Sequence, residues 1–158
     1  MREGIPQKLA DEAAERLAAF ELGLIDWPAV VSWADAWILQ LDQFPELLLD
    51  VSLNATRPQE GASALGRIAD QSNNATTYSY LKALWREKFQ SGGLDAIGVA
   101  RAAWKARLYA GWESEEWVQI SCLDHFYDDL TAGWHQDDAS RQRAAQALQD
   151  EVEIFLNV

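Results

Sequence analysis

Cysteine is all but absent from this chain. Cys122 is the only one, so no intramolecular disulfide can brace the fold. A reducing compartment suits that usage, and a single thiol on an apolar face is most often an inert packing residue. Long apolar runs are missing as well. No stretch approaches the roughly 20 residues that a membrane-crossing helix needs. The opening MREGIPQKLADEAAERL is charged and amphipathic, without the apolar segment of a signal peptide. The expectation is a cytoplasmic protein with no membrane contact, so the glycosylation patterns at Asn54 and Asn74 carry no weight. Positive charge is scarce: 13 Lys and Arg stand against 25 Asp and Glu, a net charge of −12. That balance argues against nucleic acid as a partner, because phosphates are repelled.

What is present is a hydrophobic fraction of 49% with eight Trp in 158 residues. Such a chain folds around a core, and its length is most simply one domain, 1–158. The acidic excess is concentrated. Residues 1–110 hold 14 acids and 11 bases, whereas residues 111–158 hold 11 acids and 2 bases. The densest stretch is 111–140, with eight carboxylates (Glu113, Glu115, Glu116, Asp124, Asp128, Asp129, Asp137, Asp138) and no Lys or Arg. Trp112, Trp117, Phe126, Tyr127 and Trp134 lie among them. An acidic surface studded with aromatics is what a protein presents to a basic partner.

The hydrophobic period is helical almost throughout. Residues 6–22 place Leu9, Ala13, Leu17 and Phe20 on one face, with Gly23 as a C-terminal stop. Asp26 caps the next helix, Pro28 sits in its first turn, and Val30, Ala34, Trp37 and Leu41 form its stripe. Phe44-Pro45 breaks the pattern before a short helix carrying Leu47, Leu48 and Val51. A weaker helix over 59–71 contains Gly61 and Gly66, which lower its propensity. Helices over 76–90, 96–110 and 115–132 follow, with Leu81, Leu84, Trp85 and Phe89, then Ile97, Ala100, Trp104 and Leu108, then Trp117, Ile120, Leu123, Tyr127 and Leu130 as inward faces. Asp95 and Ser114 supply caps, and Gly111 and Gly133 supply stops. The last helix starts at Asp137 or Asp138 and aligns Ala144, Ala145, Leu148, Val152 and Phe155. The fold expected is all-α, a bundle of seven or eight short to medium helices. The spacing Gly23-x-x-Asp26-x-x-x-Val30 is echoed by Gly111-x-x-Ser114-x-x-x-Val118, which allows paired helical hairpins or simply two uses of one capping grammar.

Candidate chemistry is sparse. Asp124-His125-x-x-Asp128-Asp129 puts a His and carboxylates within one helical turn, a donor set suited to Zn, Mn or Fe, with His135 and Asp138 following. The metal-enzyme signatures His-Glu-x-x-His and Glu-x-x-His are absent, and a solvated acidic face is the commoner meaning, so neither metal nor cofactor is expected. Cys122 precedes His125 by three residues, but acidic surroundings raise a thiol pKa and weaken the nucleophile. Gly61 to Arg67 shares only glycine spacing with a phosphate loop. Trp33, Trp37, Trp85, Trp104 and Trp117 lie on or beside apolar stripes, which favours core packing. Trp112 and Trp134 sit at Gly-marked junctions beside acids and are the expected contact residues, together with Tyr127.

The segment Gly23-Leu24-Ile25-Asp26-Trp27, followed by Val30-Val31-Ser32-Trp33-Ala34-Asp35, resembles a helix–Gly–helix opening found in small bacterial proteins. In size, acidity and lack of an active-site motif the chain is similar to the immunity proteins of bacterial toxin systems. That resemblance implies a cytoplasmic, helical, non-enzymatic inhibitor whose basic protein partner is a toxin domain. The contact residues expected are Trp112, Glu113, Glu116, Asp124, Tyr127, Asp128, Asp129, Trp134, Asp137 and Asp138. Two other functions fit the same sequence: a metal-dependent enzyme built on residues 124–129, and a helical adaptor that assembles through its Trp-rich N-terminal hairpin.

Overall fold

Several helix ends follow directly from local chemistry. In the computed structural model, which describes residues 4–107, 114–135 and 137–158 (the side chains of 114 and 115 excepted), the chain forms eight helices. They are α1 (Gln7–Glu21), α2 (Trp27–Gln40), α3 (Glu46–Leu53), α4 (Pro58–Ala69), α5 (Thr77–Gln90), α6 (Ala96–Ala106), α7 (Ser114–Thr131) and α8 (Asp138–Leu156). No strand occurs among the described residues, and no helix is long and apolar enough to cross a membrane. The expected all-α class is therefore observed.

Three aspartates cap as their spacing predicts. Asp26 accepts from the backbone N–H of Ala29 at 3.0 Å, Asp95 from Gly98 at 2.7 Å and Asp137 from Ser140 at 2.6 Å. Each satisfies an N–H that the helix itself leaves unbonded. At the end of α1, Gly23 takes a positive φ of 74°. Its N–H bonds the carbonyl of Phe20, and that of Leu24 bonds Ala19. This is the Schellman closure that a glycine permits without steric cost. Gly111 and the side chain of Ser114 lie outside the described residues. The echo of the first hairpin nonetheless fails at its third position, since Val30 is 0% exposed and Val118 60%.

The chain divides into two units, Met1–Leu81 and Lys82–Val158. In the first, α4 packs on α1 and α3, and α2 packs on α3 and α1. Its core contains Leu9, Ala13, Trp27, Val30, Ala34, Leu48, Val51, Leu65 and Ile68. Trp27 is the largest of these. Its ring lies against Phe20 with centroids 5.2 Å apart, and its indole N–H donates to the Asn54 carbonyl at 2.8 Å. Gly61 of α4 sits directly under that ring, where a Cβ would overlap it. The helix-weakening glycine thus has a packing function.

In the second unit α7 contacts α6 and α8, and α6 contacts α8. The buried face of α6 is Ala96, Val99, Ala100, Ala103 and Ala106. It is rotated from the expected Ile97–Ala100–Trp104 stripe, leaving Ile97 exposed and Trp104 half-buried. Small side chains allow close helix approach, and the alanine face wins over the bulkier one. Ala145 of α8 likewise turns outward, while Ala144, Leu148, Val152 and Phe155 are buried. Trp85 of α5 is fully buried, its ring 6.2 Å from that of Phe155. Its indole N–H has no hydrogen-bond partner among the described residues. Arg86 secures the same pairing, donating from Nε to the Leu156 carbonyl at 2.6 Å.

Candidate functional site: the corner between α7 and α8

Helix dipole considerations separate the acids of this region into two kinds. The N-terminus of α8 is a favourable place for negative charge. Asp137 and Asp138 stand there, one as the cap and one in the first turn. Their presence is explained by helix stability alone. The C-terminal half of α7 is an unfavourable place, because the exposed carbonyls already make that end negative. Yet Asp124, Asp128 and Asp129 lie there, and the last turn carries no base.

Of these three, Asp129 is locally anchored. Its Oδ1 accepts the indole N–H of Trp134 at 3.2 Å, and its Oδ2 faces His135 Nε2 at 3.4 Å. That nitrogen is buried without a hydrogen bond to a described residue, so the attraction to Asp129 is one of charge when the ring is protonated. On its other side His135 Nδ1 meets Ser140 Oγ at 2.6 Å. Arg141 clamps the link from α8, donating from Nε to the His135 carbonyl at 3.1 Å and approaching Asp138 at 3.8 Å. Gly133, at φ 79°, makes the turn that brings Trp134 and His135 back over α7. Trp134 remains 63% exposed despite its tether.

Asp128 has no such explanation. It is exposed and forms no hydrogen bond or ion pair with a described residue. One turn earlier, burial pushes the Asp124 carboxyl above the ordinary aspartate range; the charge of Asp128 adds to that, and Arg107 opposes it. Tyr127 is half-buried with the Arg101 guanidinium 5.9 Å from its ring centroid.

The expected contact residues thus sort clearly. Asp129, Trp134, Asp137 and Asp138 gather at one corner, linked through His135, Ser140 and Arg141, and Asp128 is the chain neighbour of Asp129. Asp124 adjoins them through Asp128. Tyr127 is engaged by Arg101. Glu116 lies near the other end of α7 and is half-buried. Trp112 and Glu113 lie outside the described residues. The corner is not purely acidic, since Arg141 shields Asp138 and Arg107 faces Asp124. Ser140, Arg141 and His135 hold the corner together; of these only His135 stands out in the sequence, and no local spacing points to Ser140 or Arg141.

The alternative arrangement, His125, Asp128 and Asp129 converging on a metal ion, is not found. Among the described residues no three His, Cys, Asp or Glu side chains are grouped to hold one. His125 is exposed, its ring edge-on to Phe126 at 6.0 Å. The aromatic expectations also divide. Trp85 is core, Trp33, Trp37 and Trp104 are half-buried, and Trp117 is 42% exposed, stacked on Trp104 at 6.2 Å. Trp27, which the apolar stripes did not single out, is buried. Comparison with protein-family models, curated proteins and solved structures yields no match to this chain.

Proposed function

We propose that this chain is a non-enzymatic binding protein of the immunity or inhibitor type, which neutralises a basic toxin domain through the α7–α8 corner. The observation that carries this reading is Trp134. It is a large aromatic side chain, mostly in solvent, yet oriented by a hydrogen bond to Asp129. An anchor already held in place loses less freedom on docking, which is how exposed tryptophans become the energetic centre of an interface. The neighbouring charges supply the approach. Asp128 costs helix stability where it stands and pairs with nothing described, as expected for a side chain kept for an external cation. Negative potential around the anchor steers a basic surface toward it and sets its orientation.

The test is affinity capture from the native cell with the intact protein and its D128K and W134A variants. A basic protein is expected to bind the intact chain at about 50 mM salt and to be released near 500 mM, where charges are screened within a few ångström. D128K should slow association about tenfold at low salt, and W134A should speed dissociation. Capture that ignores both substitutions and salt refutes the proposal.

A further inference from the structure

A cleft of about 960 Å³ opens in the first unit, far in sequence from the α7–α8 corner. Three segments form it: the residues leading into α1, the α2–α3 link with α3, and the end of α4. Its volume is at the upper end of the range for small-ligand sites. Ile5, Phe44 and Leu47 supply apolar lining. Phe44 is 39% exposed and is followed by Pro45, whose ring stiffens the link that carries it. An aromatic ring kept on a cleft wall is an offer to an apolar group.

The charges lining the same space have opposite signs and do not satisfy one another. Glu46 and Asp50 are one turn apart on α3 and share a face. Arg67 comes from α4, which packs against α3. Arg67 lies more than 4.0 Å from either carboxylate and forms no hydrogen bond or ion pair with a described residue. A guanidinium and two carboxylates that border one cleft without closing on each other leave room for a ligand carrying both charges. The guanidinium fork fits a carboxylate in two-point fashion, and the acids fit an ammonium group.

We infer that this cleft binds a small zwitterion with an apolar side chain, of the amino-acid or short-peptide class. The ligand carboxylate meets Arg67, its ammonium group meets Glu46 and Asp50, and its side chain lies on Phe44 and Leu47. The site is independent of the docking corner, so it stands or falls separately from the inhibitor reading.

The probe is the tripeptide Ala-Leu-Ala with free termini, titrated into the full-length ¹⁵N-labelled protein, beside the same peptide acetylated and amidated. Saturable shifts at the amides of Phe44, Leu47 and Arg67 are expected. The capped peptide should bind about tenfold more weakly, the usual worth of a charge-assisted hydrogen bond. R67Q and D50N should each weaken the free peptide by a similar factor, and melting curves should show them folded, since both positions are exposed. No saturable shift below about 10 mM, a limit equal to under 3 kcal/mol of binding, overturns the inference. So does equal binding of free and capped peptide, or affinity untouched by either substitution.

Discussion

The indole N–H of Trp37 donates to Oε2 of Glu12 at 2.7 Å. Trp33, one turn earlier on α2, donates to the same oxygen at 2.9 Å. One carboxylate on α1 therefore fixes two half-buried tryptophans on the neighbouring helix. The chain's own cations flank them, with Arg16 5.6 Å from the Trp33 ring centroid and Lys8 6.0 Å from that of Trp37. The Trp-rich N-terminal hairpin, through which the alternative adaptor reading would have the chain assemble, is in this respect already engaged within its own unit.

Replacing Glu12 tests that arrangement. E12A leaves two indole donors without their acceptor and should cost about 2 kcal/mol in urea unfolding, the penalty for such unsatisfied groups tempered by partial exposure. E12Q keeps a carbonyl oxygen in place and should recover most of it. Equal loss in both variants would mean that the charge, not the acceptor, is what matters.

Gly61 should be intolerant of even one methyl group. The Trp27 ring occupies the space a Cβ needs, and that ring is tied to Asn54 and cannot withdraw freely. G61A gains helix propensity worth about 1 kcal/mol, yet overpacking costs typically 1–3 kcal/mol. The expected net result is a lower melting temperature. A rise would show that the ring has room to move.

This glycine also marks where sequence reading stopped. Helix periodicity, the Asp26, Asp95 and Asp137 caps and the Gly23 turn were legible because each depends on residues a few positions apart. Propensity, a local quantity, marks Gly61 only as a helix-weakening residue, whereas its reason is Trp27, 34 positions away. The α6 face was misjudged for a related cause: size ranked Ile97 and Trp104 above alanines, and close packing reversed the ranking. At the candidate site the acids were visible as composition. The cap at Asp137 and the stop at Gly133 are local, but the tethering of Asp129 by Trp134 and His135, and the lack of a described partner for Asp128, depend on how the chain folds back over α7 beyond Gly133, which no spacing rule supplies.

Burial pushes the Glu15 carboxyl above the ordinary glutamate range. Hydrogen bonding from Thr76 and the charge of Arg16 oppose the shift, and the charge of Glu12 adds to it. With the folded value above the unfolded one, the native state takes up a proton at a pH where the unfolded chain does not. Ionised Glu15 therefore weakens the fold at neutral pH, and that penalty is relieved as pH falls through the folded value. Melting temperatures of the intact protein and E15Q measured from pH 7.5 downward, in about half-unit steps, should converge toward the acid side, with E15Q the more stable at neutral pH. A gap that widens on acidification would reverse the sign.

The electrostatic setting of Trp134 can be read without any partner. Caesium, a cationic quencher, accumulates where potential is negative, and iodide is depleted there. Emission lost on changing Trp134 to Phe should be the portion most accessible to caesium and least accessible to iodide, and the contrast should vanish in about 0.5 M salt. Equal quenching by both ions would deprive the corner of its field.

Trp85 offers the opposite extreme. Its indole hydrogen, fully buried beside Phe155 and without a hydrogen-bond partner among the described residues, can be traded for deuterium only when the surroundings of the ring come apart. That single proton is a clock for the opening of the second unit, and it runs without any label having to be introduced.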